Sequence, residues 1–118
     1  MSFNHVTEAD LKYFRELLPG RVFSGEEIST DYDHDEMTIY GHYMPEAVLQ
    51  ALTTEDVSAV LKYCNEHNIA VTPRGAGTGL CGGCVAIHGG VVLSTEKMKK
   101  VLEVDTKNMT ATVEPGVL

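Results

Sequence analysis

The residues with the clearest potential for chemistry form a glycine-rich loop, residues 71–83, of sequence VTPRGAGTGLCGG. From Gly75 onward, three glycines alternate with other residues, which removes the Cβ atom from every second position. Successive backbone N–H groups can then converge on one point and bind an anion. Arg74 is the only cation of this loop, and Thr78 adds a hydroxyl. The pattern predicts a cradle for a pyrophosphate, with the charge of Arg74 at its mouth.

Other nucleotide-binding patterns fit this loop less well. The segment Gly77–Gly82 formally matches the G-x-G-x-x-G dinucleotide fingerprint, and Glu103 lies near the distance expected of a ribose-binding acid. That fingerprint requires a helix that begins within the glycines, whereas here more glycines and a strand pattern follow. A Walker loop would need Gly-Lys-Ser/Thr, which the sequence lacks. A glycine-rich surface turn without a ligand is the remaining structural alternative.

The cysteines suggest a different class of function. Cys81 and Cys84 form a C-x-x-C motif, and with Cys64 and His67 they could complete a tetrahedral zinc site. A redox-active C-x-x-C is less favoured, because no helix follows Cys81 to depress its pKa. Cys64 also falls on an apolar helix face, where a small buried residue is the commoner role. We therefore favour unligated thiols, with a zinc or redox module, or a non-catalytic interaction domain, as the alternatives.

The acidic segment, residues 31–36 of sequence DYDHDE, has aspartates at alternate positions, as calcium-binding loops do. Its sixth position is Glu36, where such a loop needs glycine, and its twelfth is His42, where it needs a glutamate. We interpret the segment as a solvated acidic loop, and we expect no metal ligand in this chain.

Composition limits the remaining classes. With 118 residues, of which 43% are apolar and 22% charged, the chain is expected to form one globular domain. A net charge of −8 disfavours nucleic acid as a partner. The N-terminus lacks the features of a signal peptide, and no apolar run reaches membrane-spanning length, which predicts a cytoplasmic protein. Three cysteines without repeated spacing predict thiols and no disulfide scaffold.

The order of predicted elements places the glycine loop at the end of a strand. The predicted elements are a helix from the Thr7 capping box to Pro19, a turn of helix after Ser24, a strand within 45–52, a helix after Thr53 whose apolar face carries Val57, Val60, Leu61 and Cys64, strands at 69–72 and 91–94, and an antiparallel hairpin of 101–105 and 109–113. The strand–helix–strand unit is expected to have parallel strands, and open sheets of this kind bind ligands at the carboxyl ends of their strands. The sequence therefore predicts an α+β (α/β-like) fold with a short parallel sheet. Pro115-Gly116 usually opens a further turn, so we expect a truncated chain.

These residues resemble one flavoprotein family. The segments that carry the resemblance are PRGAGTGL at 73–80 with Gly82 and Gly83, GGVVLS at 89–94, Met98, VLEVD at 101–105 and TATVEPG at 110–116. They are similar to the first half of the FAD-binding domain of the vanillyl-alcohol-oxidase (PCMH-type) family, and most similar to its glycolate oxidase large subunits and FAD-linked D-lactate dehydrogenases. Tyr32 and Asp35 match a family Tyr-x-x-Asp, whereas Cys81 stands where the family usually has serine.

The resemblance implies FAD as the cofactor, a small 2-hydroxy acid as the substrate of the full-length protein, and a separate electron acceptor. It divides the chain into a helical lead-in, residues 1–42, and the first part of the FAD-binding domain, residues 43–118. It implies that backbone N–H groups hold the FAD pyrophosphate, and that no catalytic residue lies in this chain, which alone is expected to be inactive. The expected cofactor-binding residues are Pro73, Arg74, Gly75, Ala76, Gly77, Thr78, Gly79, Leu80, Gly82, Gly83, Pro115 and Gly116.

Overall fold

The computed structural model describes residues 2–118, which form a four-stranded sheet, a separate two-stranded hairpin and two α-helices. In chain order the elements are α1 (Glu8–Leu17), β1 (Val22–Ser24), β2 (Ala47–Gln50), α2 (Thr54–Glu66), β3 (Val71–Arg74), β4 (Val91–Ser94), β5 (Val101–Asp105) and β6 (Thr110–Val113). Three short 3-10 turns, Gly25–Glu27, Thr30–Asp33 and Thr38–Tyr40, lie between β1 and β2. This arrangement confirms the predicted fold class, a mixed fold with a short parallel sheet and an antiparallel hairpin.

The strand order of the larger sheet is β1-β2-β4-β3. β4 pairs in parallel with both β2 and β3, and β1 pairs antiparallel with β2. The predicted strand–helix–strand unit is therefore present, with β4 inserted between its two strands. β3 begins at Val71, two residues later than predicted, and includes Pro73. Because β3 is an edge strand, the missing N–H of a proline costs no ladder bond there.

The two central strands are buried on both faces. In β2 and β4, Leu49, Val91 and Leu93 point to one side and pack with helix residues such as Phe14 and Val60. The alternate positions, Val48 and Val92, point to the other side, where Ile28, Ala86 and Tyr32 cover them. Side chains alternate along a strand, so a continuous apolar run such as 91–93 indicates a strand with two covered faces.

The helices begin where the sequence predicts. At α1, Thr7 Oγ1 accepts the N–H of Asp10 at 3.2 Å, and the Asp10 carboxylate accepts the N–H of Thr7 at 2.8 Å, so the capping box is complete. At α2, Thr53 caps the N–H of Asp56 at 3.1 Å. Leu61 was wrongly placed on the buried face of α2, since it is largely exposed and Val60 and Cys64 make the contact with the core. None of the helices in residues 2–118 is long and apolar enough to cross a membrane.

The lead-in over residues 1–42 is not only helical, because it also supplies β1 to the sheet. Ser24 starts the expected turn, which is a 3-10 turn without a side-chain cap. The division of the chain at residue 42 stays a prediction.

The carboxylate of Asp56 joins the start of α2 to the segment before β1. Arg21 Nη1 donates to Asp56 Oδ2 at 3.0 Å, and the N–H of Leu52 donates to the same oxygen at 2.9 Å. Burial favours a higher pKa for Asp56, but the N–H of Leu52 and the guanidinium of Arg21 outweigh it and hold the pKa below the ordinary value of 3.8.

Replacement of Asp56 by asparagine is expected to lower the free energy of unfolding by about 1.5–3 kcal/mol at pH 7, because a charge-assisted bond is lost. A carboxylate with a depressed folded-state pKa stabilises the fold above its unfolded-state pKa, and this contribution disappears as the pH falls through the folded-state pKa. The difference between wild type and Asp56→Asn should therefore shrink below about pH 4. Urea denaturation between pH 7 and pH 3 measures it, with Glu55→Gln, an exposed neighbour, as the control. A difference that does not change with pH would show that the ion pair is not its source.

Candidate functional site

The glycine loop, here residues 75–83, leaves the sheet at the carboxyl end of β3. The Arg74 carbonyl accepts the N–H of Thr95 at 3.0 Å, which fixes the start of the loop beside the end of β4. The loop residues up to Leu80 are mostly exposed. The backbone N–H groups from Gly75 to Cys81 donate no hydrogen bond to any group within residues 2–118. A row of exposed and unpaired N–H groups is what an anion-binding loop provides.

Two glycines of this loop have a positive φ, Gly82 (+72°) and Gly77, and Gly77 is the more crowded of the two. Its φ is +74°, a conformation that residues with a Cβ rarely adopt. A Cβ built on Gly77 would also lie 2.1 Å from Nη2 of Arg74, whereas a Cβ on Gly75 or Gly79 would have no neighbour within 4 Å. Gly77 thus lets the loop pass directly over the guanidinium.

The position predicted for the charge of Arg74 is wrong. Arg74 is only 6% exposed, so its guanidinium lies beneath the loop and not at its mouth. Nη2 donates to the carbonyl of Asp31 at 2.7 Å, Nη1 donates to the carbonyl of His34 at 2.9 Å, and the guanidinium carbon lies 5.3 Å from the ring centroid of Tyr32. The side chain therefore supports the loop from below, since both of its terminal nitrogens donate hydrogen bonds to the protein itself.

The acidic strap, residues 31–36, accepts the hydrogen bonds of this guanidinium, and its interpretation as a solvated loop holds for the exposed Asp31 and Glu36 but is wrong for Asp35. Asp35 is only 3% exposed. Its carboxylate accepts the N–H of Gly82 at 2.8 Å and that of Met37 at 2.8 Å, while Glu36 donates its N–H to the carbonyl of Gly79 at 3.2 Å. The strap thus holds the far end of the glycine loop, and the N–H of Gly82 is not available to a ligand.

The strap cavity, of about 460 Å³, lies between the acidic strap and the glycine loop. Arg74, Ala76 and Gly77 form its loop side. Its other walls include the acidic residues Asp31, Asp35 and Glu36, which do not line the second cavity, and Glu96, which lines both cavities. Carboxylates at close range repel a pyrophosphate, so this cavity is the less suitable side of the loop for that group.

The lysine cavity, of about 280 Å³, also borders the loop and shares Ala76 and Glu96 with the strap cavity. It brings the predicted residues Gly75, Ala76, Pro115 and Gly116 together, although about forty residues of sequence separate the two segments. A Cβ on Gly116 would lie 2.0 Å from the carbonyl oxygen of Thr95, so only glycine fits there. The other predicted residues, Pro73, Thr78, Gly79, Leu80, Gly82 and Gly83, line neither cavity.

Lys97 and Lys99 also line the lysine cavity, and sequence reasoning did not single them out. Both are exposed, while Met98 between them is buried in the core. A Lys-Met-Lys sequence after a buried strand was the available signal, since alternation places both lysines on the side opposite the core. Together they offer positive charge beside the free N–H groups of the loop.

The cysteines are not assembled as the zinc alternative requires. Cys64 is buried in the core, and burial raises the pKa of its thiol to about 11. His67 stacks on Tyr63 with ring centroids 3.8 Å apart, and Cys84 Sγ accepts a hydrogen bond from Arg74 at 3.4 Å. In the part of the chain that the structure describes, Cys64, His67, Cys81 and Cys84 form no metal-binding group. The zinc site proposed from these four residues is therefore wrong.

Comparison with known proteins adds independent information. A family model described as an FAD binding domain matches residues 45–118. The chain is 49% identical over 116 residues to a D-lactate dehydrogenase of Anaerostipes hadrus, which covers 98% of this chain and 24% of that protein. It is 44% identical over 87 residues, 74% of this chain and 18% of the relative, to a glycolate oxidase subunit of Bacillus subtilis. A mitochondrial D-2-hydroxyglutarate dehydrogenase of Danio rerio is 38% identical over 98% of this chain and 22% of its own length. The chain thus spans about a quarter or less of these relatives.

Two solved structures share the architecture. p-Cresol methylhydroxylase with substrate bound superposes with a TM-score of 0.81 and 30% identity, over 98% of this chain and 24% of that one. The 4-ethylphenol oxidase of Gulosibacter chungangensis gives a TM-score of 0.80 and 27% identity, over 99% of this chain and 24% of its own.

Proposed function

Because this chain belongs to the family of FAD binding domains, we propose that its glycine loop holds the pyrophosphate of FAD within an FAD-linked oxidoreductase of small 2-hydroxy acids. The family match confirms the resemblance to PCMH-type flavoproteins and FAD as the cofactor. The role of individual residues is our proposal. The observation that carries it is the row of exposed N–H groups, beginning at Gly75, that have no partner among residues 2–118.

We place the pyrophosphate on the side of the loop that faces the lysine cavity. Of the free N–H groups between Gly75 and Leu80, those of Gly75 and Ala76 line this cavity and would donate to its oxygens, and Lys97 and Lys99 would neutralise its charge. Gly116 has no room for a side chain because its backbone packs against the carbonyls of Thr95 and Met98, and this packing holds it at the wall of the lysine cavity. Arg74 and Asp35 would act indirectly, by holding the loop in the conformation that the structure shows.

The relatives' names support the proposed substrate class. D-lactate, glycolate and D-2-hydroxyglutarate, which appear in those names, are all 2-hydroxy acids. When bound, FAD supplies a two-electron acceptor that can take a hydride from the α-carbon of such an acid while the hydroxyl loses a proton, which leaves a 2-oxo acid. A separate acceptor would then take the electrons. This chain contributes binding and orientation.

Titration of the ¹⁵N-labelled chain with ADP, FAD and riboflavin tests the cradle, because NMR detects even weak binding. ADP and FAD carry a pyrophosphate and are expected to shift the amide signals of residues 75–80, whereas riboflavin should leave them in place. The variant Lys97→Ala combined with Lys99→Ala should weaken the ADP response roughly tenfold or more, since two charged contacts are lost. Shifts that are absent at millimolar ADP, or that cluster far from the glycine loop, would contradict the proposal.

A further inference from the structure

Three side chains with metal-binding atoms meet where the acidic strap approaches the segment before β2. The Asp33 carboxylate oxygen Oδ1 lies 2.5 Å from Nδ1 of His34 and 2.9 Å from Nδ1 of His42. The two imidazole rings are tilted by 52°, with centroids 5.1 Å apart. All three ligand atoms lie within 4.8 Å of one another, and no other such group occurs in residues 2–118. From this geometry we propose that Asp33, His34 and His42 bind a divalent transition-metal ion of the zinc class.

The donor set determines the class of ion. Two imidazole nitrogens and one carboxylate oxygen are typical of Zn²⁺ sites with an open position for water, whereas Ca²⁺ and Mg²⁺ prefer oxygen ligands throughout. The calcium pattern considered for this segment used the aspartates alone. The structure instead selects one of those aspartates and adds two histidines, one of which stood at a calcium-ligand position that needs glutamate.

The geometry requires only a small adjustment. Ligands about 2.1 Å from a tetrahedral zinc ion are separated from one another by about 3.4 Å, so each of the two imidazole nitrogens must move away from Asp33 Oδ1 by less than about 1 Å. His42 is the most mobile candidate for this movement, because its side chain is 61% exposed, while that of Asp33 is 18% exposed. The backbone already fixes their separation, since the N–H of Tyr43 donates to the carbonyl of Asp33 at 2.8 Å.

The position of the site gives it a consequence for the glycine loop. The His34 carbonyl is one of the two carbonyl acceptors of Arg74, and Asp35 follows directly and accepts the N–H of Gly82. A metal ion that links Asp33 and His34 to His42 would close the short segment 33–42 and restrict the motion of the acidic strap. Metal binding should therefore stabilise the support of the loop, independently of whether the loop binds FAD.

Isothermal titration calorimetry with ZnCl₂ tests the site in the variant Cys81→Ser/Cys84→Ala, which removes the two accessible thiols that also attract zinc. We expect one Zn²⁺ per chain, and a melting temperature raised by roughly 5 °C at saturation and restored by a chelator. His42→Ala in the same background should weaken binding by at least about tenfold. The matched control is His88→Ala, which removes an exposed histidine that lies beside the ring of Phe3 and outside the cluster, and it should leave the zinc affinity unchanged.

Co²⁺ substitution provides a second measurement. Visible bands without thiolate-to-cobalt charge transfer are expected in wild type, in the cysteine variant and in His88→Ala, and they should be lost in both His42→Ala and Asp33→Asn. Equal zinc affinity in His42→Ala and its parent, or no binding in the cysteine variant, would overturn the proposal and leave the three side chains as a hydrogen-bonded group only. Neither result bears on the ADP titration, so failure of this site and failure of the cradle are separable.

Discussion

Replacement of Arg74 by alanine is expected to lower the free energy of unfolding by about 3 kcal/mol or more. This loss of stability should be larger than that caused by replacing either lysine of the lysine cavity. The variant loses two charge-assisted hydrogen bonds, to the carbonyls of Asp31 and His34, and the contact of the guanidinium with Tyr32. It also leaves a space beneath Gly77, so the loop loses its support. Nucleotide binding should fall as a consequence of this loss of structure.

Urea denaturation and the ADP titration distinguish this role from a direct contact with pyrophosphate. Lys99→Ala is the matched control, because Lys99 is an exposed cation on the lysine cavity and should affect ADP binding while stability changes by no more than about 0.5 kcal/mol. Arg74→Lys should not restore stability, since an ammonium group cannot reproduce the planar fork that reaches two carbonyls. If Arg74→Ala had normal stability but weakened ADP binding, Arg74 would contact the pyrophosphate directly, as the sequence predicted.

Most of the fold could be predicted because its signals are local. The side-chain caps at Thr7 and Thr53 act over three residues, and each helix begins directly after its cap. The apolar run 91–93 predicted a strand, and its burial on both faces follows from the same alternation. The strand predicted at 69–72 ends two residues before β3 does, because Pro73 weakens a strand pattern unless the strand is known to lie at the edge of a sheet. Strand order depends on distant pairing, which no local pattern contains.

The support of the glycine loop could not be predicted for the same reason. Arg74 and His34 are forty positions apart in sequence, and Asp35 and Gly82 are forty-seven apart. Charged residues are usually exposed, so a run of aspartates indicates solvent unless the structure shows N–H groups that require acceptors. The glycines were recognised because their spacing restricts the backbone directly. The reason why position 77 needs glycine could not be predicted, because it depends on where the side chain of Arg74 lies in the structure.

Gly77 carries the second large expected effect. Gly77→Val should abolish the ADP response of the loop and lower the free energy of unfolding by about 3 kcal/mol, for two reasons that add. A β-branched residue at φ +74° is strained, and its Cβ would overlap Nη2 of Arg74, whose guanidinium cannot move without breaking its bonds to the strap. Gly79→Ala is the matched control in the same loop, because a Cβ there meets no atom within 4 Å and its φ is not positive. Its stability should stay within about 0.5 kcal/mol of wild type.

A double-mutant cycle separates the two reasons. In Gly77→Ala the strain of the positive φ and the clash with Arg74 are both present, whereas in Gly77→Ala combined with Arg74→Ala the clashing guanidinium is gone and only the strain remains. The double variant should therefore be more stable than the sum of the single changes predicts, by about 1 kcal/mol or more, as expected for residues in contact. Gly79→Ala combined with Arg74→Ala should be additive. Additivity at position 77 as well would mean that the glycine is required by its backbone conformation alone, and that the loop does not rest on Arg74.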